Sequence, residues 1–276
     1  MSPTSPEDVS EVIKALVGTS SSLESPEQQA TCNFAVRSGG HSSVPGAVNS
    51  DGGVTIDLRA LNDVKLSDDK STAHIGVGAR WGEVYTYLET FDLSVAGGRV
   101  SQVGVGGLTT GGGISFFSPR YGWACDSVTN FQVVLADGSI VNANEKENRD
   151  LLLALRGGSG SFGIVTRVDM TAFEQKAFRG GSAFYDLSTI DQHLAAFEEI
   201  NSPDNFDEYI SPIFGFGFAV GQGSFIFQNL VYTKDELSPA TWAKVDAIPS
   251  LQSTLRIDKM SAFATEMGVF NPMGKR

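Results

Sequence analysis

The chain has 276 residues, of which 41% are hydrophobic and 19% charged, and at roughly 100–200 residues per domain this length predicts one large or two modest domains. Its net charge of −12 and isoelectric point near 4.6 exclude nucleic acid from the expected partners, because phosphate contacts need a basic face. No apolar run approaches the roughly 20 residues that span a bilayer, so no membrane partner is expected either.

The first part of the chain predicts short strands with helices between them. Ser5 as a capping residue, followed by acids and by apolar residues at helical spacing, predicts a helix that ends near Gly18. The polar residues 19–31 predict a loop. The further predicted elements are strands at 34–36, 53–58, 73–78, 128–135, 140–141 and 162–168, and helices at 81–91 and 150–155.

A domain boundary is predicted near residue 175, where the glycine-rich pattern of the sequence ends. This boundary gives domains 1–175 and 176–276. The second domain is predicted to contain strands and helices that begin a sheet. Residues 270–276 contain no closing element, so we expect this sheet to be incomplete and the chain to be truncated at both ends. The predicted elements are strands at 184–187, 213–220 and 224–232, a helix at 188–200 and a helical segment that ends at 245.

The two cysteines, Cys32 and Cys125, lack the C-x-x-C spacing of a metal site. They are either two buried thiols or a single disulfide, which an oxidising compartment would permit. No secretory signal precedes the first helix, and the localisation stays open.

Two glycine-rich segments dominate the chain: Arg37-Ser38-Gly39-Gly40-His41-Ser42, and the cluster from Gly104 to Gly113. Glycine lets a backbone approach a ligand closely, consecutive amides can surround phosphate oxygens, and the histidine adds a reactive imidazole. The segment that starts at Gly104 lacks the third glycine of the G-x-G-x-x-G dinucleotide fingerprint, and the P-loop pattern does not occur in the chain. Taken alone, these loops are also compatible with tight turns that have no ligand.

Three further segments, Gly97-Gly98-Arg99, Tyr121 to Asp126, and Leu155 to Thr166, follow in an order and spacing that resemble a known family over roughly residues 5–175. It comprises the FAD-linked oxidases with a PCMH-type binding domain, in the berberine-bridge-enzyme-like branch of the vanillyl alcohol oxidase family. The resemblance implies an α+β fold, with a PCMH-type FAD-binding domain followed by an incomplete antiparallel-sheet substrate domain.

The resemblance also implies FAD as the cofactor, with His41 as its covalent attachment point. It implies that FAD is bound by Arg37, Ser38, Gly39, Gly40, His41 and Ser42 in the first loop, by Val103, Gly104, Gly106, Gly107, Thr110, Gly111, Gly112 and Gly113 in the second, and by Gly163, Ile164 and Val165 in the third.

Three positions depart from the family pattern. Val100 stands where many relatives have a cysteine that forms a second bond to the flavin, which favours a single attachment. Leu108 stands where a histidine is often found. Ser161 replaces an asparagine and puts one polar contact near the adenine end in doubt. The resemblance also implies that the residue at Val103 gates oxygen, with valine favouring entry; the alternative is that Val103 is only a packed residue at a strand end.

The implied activity is hydride transfer from a small organic substrate (an alcohol, a sugar or a secondary metabolite) to FAD, with oxygen as the acceptor that yields hydrogen peroxide. The alternatives are a flavin-binding remnant with little catalysis and a dehydrogenase that uses another acceptor. No catalytic base is identified, and we expect it in the missing C-terminal part. No metal site is predicted, because His74 is interpreted as structural and His193 as solvated on a polar helix face.

Overall fold

A computed structural model describes residues 1–21, 33–221 and 223–269 of the chain. These residues form an α+β structure in which most strands belong to two antiparallel sheets. Within these ranges, no helix combines the length and the apolar character that crossing a membrane requires.

The first part of the fold opens with a helix whose capping residues form reciprocal hydrogen bonds. The Asp8 amide donates to Ser5 Oγ at 3.0 Å, and the Ser5 amide donates to the Asp8 carboxylate at 3.1 Å. The helices here are α1 (Pro6–Ser21), α2 (Trp81–Leu88), α3 (Val105–Thr110), α4 (Ser118–Tyr121) and α5 (Arg149–Leu155), with 3-10 turns at Leu58–Ala60, Glu89–Phe91 and Ala124–Ser127. The strands are β1 (Phe34–Arg37), β2 (Val54–Asp57), β3 (Val64–Leu66), β4 (Thr72–Gly76), β5 (Leu93–Ser94), β6 (Val128–Val134), β7 (Ile140–Asn144), β8 (Ile164–Thr171) and β9 (Phe173–Glu174).

Five of these strands form the first sheet, in the order β3-β4-β8-β6-β7, and β1 and β2 form a separate parallel pair. β1 runs directly into the first glycine loop. Helices and the sheet enclose a large apolar core, whose most bulky fully buried side chains include Trp81, Tyr85, Phe116, Phe117 and Phe131. This core fixes the position of the loops that lie at its edge.

The second part contains a six-stranded antiparallel sheet. β12 pairs with β13 along all ten of its residues, and β13 pairs on its other side with β11 and β10. Its strands are β10 (Phe178–Gly180), β11 (Ser182–Asp186), β12 (Ile210–Ala219), β13 (Gly223–Tyr232), β14 (Gln252–Ser253) and β15 (Arg256–Asp258). Its helices are α6 (Ile190–Ile200), α7 (Ala243–Asp246) and α8 (Met260–Val269), with 3-10 turns at Leu187–Thr189, Pro203–Asn205 and Ala240–Trp242.

Most predicted elements exist with boundaries shifted by a few residues. α1 continues to Ser21 instead of ending near Gly18. The glycine cluster interpreted as a loop contains the helix α3. α8 has no counterpart in the predicted elements, because its residues lack a strong apolar stripe. The predictions for Cys32, for most of the loop at 19–31 and for the tail at 270–276 concern residues outside the described ranges.

The interpretation of His193 as a solvated residue is wrong. Its side chain is 2% exposed, because α6 turns this face toward the second sheet, and its Nδ1 lies 2.7 Å from Gln228 Nε2. Burial lowers the pKa of His193. His74, by contrast, is structural as predicted: its Nδ1 lies 2.7 Å from the Asp169 carboxylate, across the β4–β8 pair.

Packing and hydrogen bonds, in addition to the connecting chain, join the two parts of the fold. α8 lies at the C-terminal end of the described residues, yet Met260, Phe263 and Met267 pack into the core of the first part. The Ser261 amide and hydroxyl both donate to the Glu89 carboxylate at 2.6 Å, beside α2. The domain boundary near 175 stays a prediction.

The outer edge of β12 pairs with no other described strand, and Phe216 and Phe218 on it are 64% and 72% exposed. We expect this edge to drive concentration-dependent association of the 276-residue chain, because unpaired backbone groups beside exposed apolar side chains favour strand addition. Size-exclusion chromatography with light scattering measures it. Phe218→Lys should shift the chain toward monomer. Phe206→Lys, which changes a phenylalanine that is 69% exposed but outside the strand, should not. A wild-type chain that stays monomeric at all concentrations would contradict the prediction.

Candidate functional site

A cavity of about 810 Å³ lies where β1, the loop that follows it, α3 and the start of β8 meet. Fifteen of the seventeen residues that the sequence predicts as cofactor-binding line it. They are Ser38, Gly39, Gly40, His41, Ser42, Val103, Gly104, Gly106, Gly107, Thr110, Gly111, Gly113, Gly163, Ile164 and Val165. Three segments that are distant in sequence therefore form one site.

The first two loops touch through their backbones at Gly39 and Gly104. A Cβ on Gly39 would lie 2.6 Å from the Gly104 Cα, and a Cβ on Gly104 would lie 2.6 Å from the Gly39 Cα. Real Cβ atoms do not occur at such distances, so only glycine fits at either position. The next residue, Gly40, has a φ of +68°, which turns the chain toward His41.

Ser38 connects these loops by hydrogen bonds. Its hydroxyl donates to the Val77 carbonyl at 2.6 Å and accepts from the Gly106 amide at 3.3 Å. The Gly106 amide also lies 3.2 Å from the same Val77 carbonyl, and the Val105 amide donates to the Ala79 carbonyl at 3.0 Å. The first turn of α3 is thus held against the strand end at residues 77–79.

The third segment is held against the far end of α3. The amides of Gly157 and Ser159 both donate to the Thr110 carbonyl, at 3.0 and 2.9 Å. Ser159 has a φ of +57°, and the chain then passes Gly163, with a φ of +142°, into β8. Because Gly163 packs against Val133, Ile164 and Val165 enter the sheet beside the cavity.

Two predicted residues, Arg37 and Gly112, do not line the cavity. The Arg37 guanidinium donates to the Asp57 carboxylate at 2.7 Å and to Asn49 Oδ1 at 3.0 Å. Hydrogen bonds from Arg59, and then from Arg37, hold the pKa of the Asp57 carboxyl well below its usual range. Arg37 therefore supports the base of the loop. Gly112 packs beside the Trp123 ring.

His41 lines the cavity as a half-buried side chain, at the point where the first loop leaves Gly40. Val103 and Leu108 also line it, whereas Val100 packs against the apolar core. Cys125 is buried, 4% exposed, and its amide donates to the Gly112 carbonyl at 2.9 Å. In the described part of the chain, no group of three or more His, Cys, Asp or Glu side chains is arranged to hold a metal ion.

Several cavity residues were not predicted from the sequence. They contribute backbone or apolar surface and carry no motif, although Ser159 and Gly160 follow the recognisable Leu155–Gly158 segment. The unpredicted lining residues are Phe34, Ala35, Val36, Gly46, Ala47, Val48, Leu58, Val77, Leu108, Ser159 and Gly160.

A second cavity of about 880 Å³ lies in the other part of the fold, between the C-terminal end of α6 and the start of α7. Acidic residues such as Asp207 and Glu208 line it together with Lys234 and Lys244. None of the seventeen predicted residues reaches it, so the predicted chemistry belongs to the first cavity.

Comparison with known proteins identifies the family of the chain. Residues 1–144 match the family model described as an FAD binding domain. The FAD-dependent monooxygenase tpcD of Cochliobolus heterostrophus is 40% identical over 99% of this chain, which covers 52% of that relative. The FAD-dependent monooxygenase CTB5 of Cercospora nicotianae is 38% identical over 96% of this chain, which covers 59% of it. The chain thus spans about half the length of these relatives.

Solved structures share the fold. The crystal structure of 6-hydroxy-D-nicotine oxidase from Arthrobacter nicotinovorans matches with a TM-score of 0.82 at 22% identity, covering 99% of this chain and 58% of that one. Chitooligosaccharide oxidase matches with a TM-score of 0.78 at 26% identity, covering 100% of this chain and 56% of that one.

We expect Gly39→Ala to destabilise the chain by about 1–3 kcal/mol, because the added methyl overlaps backbone atoms that cannot move independently. Gly107→Ala is the matched control, since a Cβ there meets nothing within 4 Å and alanine favours the helix. Thermal and urea unfolding of the two variants measure the difference. Equal stability of Gly39→Ala and wild type would show that the loops do not pack as described.

Proposed function

The chain belongs to the FAD-binding-domain family, and from this premise we propose that the cavity formed by the three glycine-rich segments holds FAD in an FAD-dependent oxidoreductase. The proposal rests above all on the convergence of Ser38–Ser42, Gly104–Gly113 and Gly163–Val165 on one cavity.

The chemistry of the cavity wall fits a pyrophosphate-bearing cofactor. Backbone atoms and small side chains form most of its lining, and the backbones of Gly39 and Gly104 are in direct contact. Among the described residues that line the cavity there is no Asp, Glu, Lys or Arg, so phosphate oxygens would meet amides and hydroxyls without repulsion from a carboxylate. Ser38, Gly39, Gly40 and Ser42 would surround the pyrophosphate.

The remaining lining residues would hold the two ring systems. Gly104 to Gly113 would line the isoalloxazine side, the backbone of Ile164 and Val165 would meet the adenine side, and His41 would attach the flavin covalently. When bound, FAD supplies the electron acceptor for a hydride from a substrate C–H, and the protein supplies binding and orientation. The substrate is proposed to be a small organic molecule.

Oxygen is the proposed final acceptor, with hydrogen peroxide as its product. The solved proteins named oxidases support this assignment by fold, whereas the curated relatives are named monooxygenases and favour insertion of an oxygen atom into the substrate as the second candidate. A dehydrogenase with another acceptor, and a flavin-binding remnant with little turnover, are the remaining alternatives. Peroxide yield and incorporation of labelled oxygen into the product separate them.

His41→Ala should abolish covalent flavin, because His41 is the only histidine among the described residues that line the cavity. The measurement is the yellow colour that remains with acid-precipitated protein. His74→Ala is the control, since His74 pairs with Asp169 in the first sheet and should leave the flavin attached. Loss of all colour from acid-precipitated wild type, or its retention in His41→Ala, would show that the assignment is wrong.

The flavin should be attached through a single residue. Val100 offers no sulfur, and Cys125 is buried behind Gly112. Mass spectrometry of a tryptic digest should place the flavin on the His41 peptide alone, and flavin on any cysteine peptide would contradict this.

Val103→Leu should slow reoxidation of the flavin. Val103 lines the cavity, and in a densely packed wall the one additional carbon of leucine hinders the entry of oxygen. The measurement is stopped-flow mixing of dithionite-reduced protein with aerated buffer. Val100→Leu makes the same change outside the cavity and is the control. Equal rates in Val103→Leu and wild type would remove the gating argument, and slow reoxidation in all three proteins would favour the dehydrogenase alternative.

A further inference from the structure

The segment that follows the second glycine cluster also holds that cluster in place. The Ala124 amide donates to the Gly113 carbonyl at 2.8 Å, and the Cys125 amide donates to the Gly112 carbonyl at 2.9 Å. Only Gly122 and Trp123 separate α4 from these two residues, so a short segment connects α4 to the cavity wall at Gly113.

Arg120 lies in α4, and four aromatic rings surround its guanidinium. The guanidinium carbon lies 4.8 Å from the ring centre of Tyr209, 5.1 Å from that of Tyr121, 5.6 Å from that of Phe117 and 5.8 Å from that of Phe173. Such distances correspond to cation–π contacts, which strengthen when the cation is removed from water.

The same guanidinium bridges the two parts of the fold. In the first part, Phe117 immediately precedes α4 and Tyr121 is its last residue, whereas Tyr209 immediately precedes β12 in the second sheet. Arg120 Nη2 also donates to Gln175 Oε1 at 3.2 Å and to Thr233 Oγ1 at 3.3 Å, at the end of β13.

We propose that Arg120 is a positioning residue that fixes the second sheet relative to the cofactor cavity. The proposal rests on the function proposed above, since the cavity whose wall Arg120 supports is the proposed FAD site. A planar, delocalised guanidinium can stack on several rings while it donates hydrogen bonds in its own plane, which an ammonium group cannot do. The Arg120 guanidinium therefore fixes the relative orientation of the two parts of the fold as well as their contact.

Lys234 provides a matched control within the same cluster. Its ammonium lies 3.7 Å from the ring centre of Tyr209, closer than Arg120, and its second aromatic contact is with Tyr232. Both of these rings belong to the second part. Lys234→Met thus removes a cation–π contact of similar kind without cutting the bridge.

The experiment compares wild type, Arg120→Met, Arg120→Lys and Lys234→Met by amide hydrogen exchange in the cofactor-free chain. Arg120→Met should accelerate exchange of the Ala124 and Cys125 amides by about fivefold, the size expected when roughly 1 kcal/mol of local stabilisation is lost. Arg120→Lys, which keeps the charge, should still accelerate it, and Lys234→Met should not. In protein that contains flavin, the same two arginine variants should change the visible circular dichroism of the flavin.

Unchanged exchange in both arginine variants would overturn the proposal, as would equal acceleration in Arg120→Met and Lys234→Met. If Arg120→Met fails to fold, the exchange rates of Arg120→Lys, compared with those of wild type and Lys234→Met, test the proposal. A wild-type chain that binds no FAD would refute the proposed function and would leave the exchange comparison intact, so the two failures are distinguishable.

Discussion

The contact between the Gly39 and Gly104 backbones is the constraint on which the rest of the site depends. It joins the loop that ends β1 to the start of α3, and neither position has room for a side chain. The Ser38 hydroxyl then bonds to Val77 and Gly106, so both loops are fixed to the same strand end. His41 has a defined position because these contacts hold the loop on which it lies. Preorganisation of this kind lets a cofactor bind without first ordering its site.

The sequence predicted most of the site, because the residues that approach the cavity do so through motifs that are visible in linear order. It did not predict Phe34, Val48 or Ser159, which reach the cavity only through the packing of separate segments. α3 shows the same limit. Glycines disfavour a helix in isolation, and here hydrogen bonds from the Val105 and Gly106 amides to residues 77–79 stabilise its first turn. His193 was misassigned because helical periodicity alone does not say which face meets a sheet.

Arg37 shows that membership in a motif and contact with a ligand are different properties. The residue starts the glycine-rich sequence, yet its guanidinium points to Asp57 and Asn49. Asp57 is 7% exposed and also accepts from Arg59, so its negative charge is compensated on two sides. The arginine thus fixes the strand end from which the loop departs. A substitution here would act on the cavity through the loop geometry.

The two halves of the described chain depend on each other physically. The Ser101 amide donates to the Ala264 carbonyl of α8 at 2.9 Å, and Ser101 lies two residues before Val103 in the cavity wall. On the other side of the same cluster, Arg120 contacts Tyr209 and Thr233. The wall formed by residues 103–113 is therefore supported at both ends by residues beyond 200. The geometry of the cavity is therefore a property of the whole described fold.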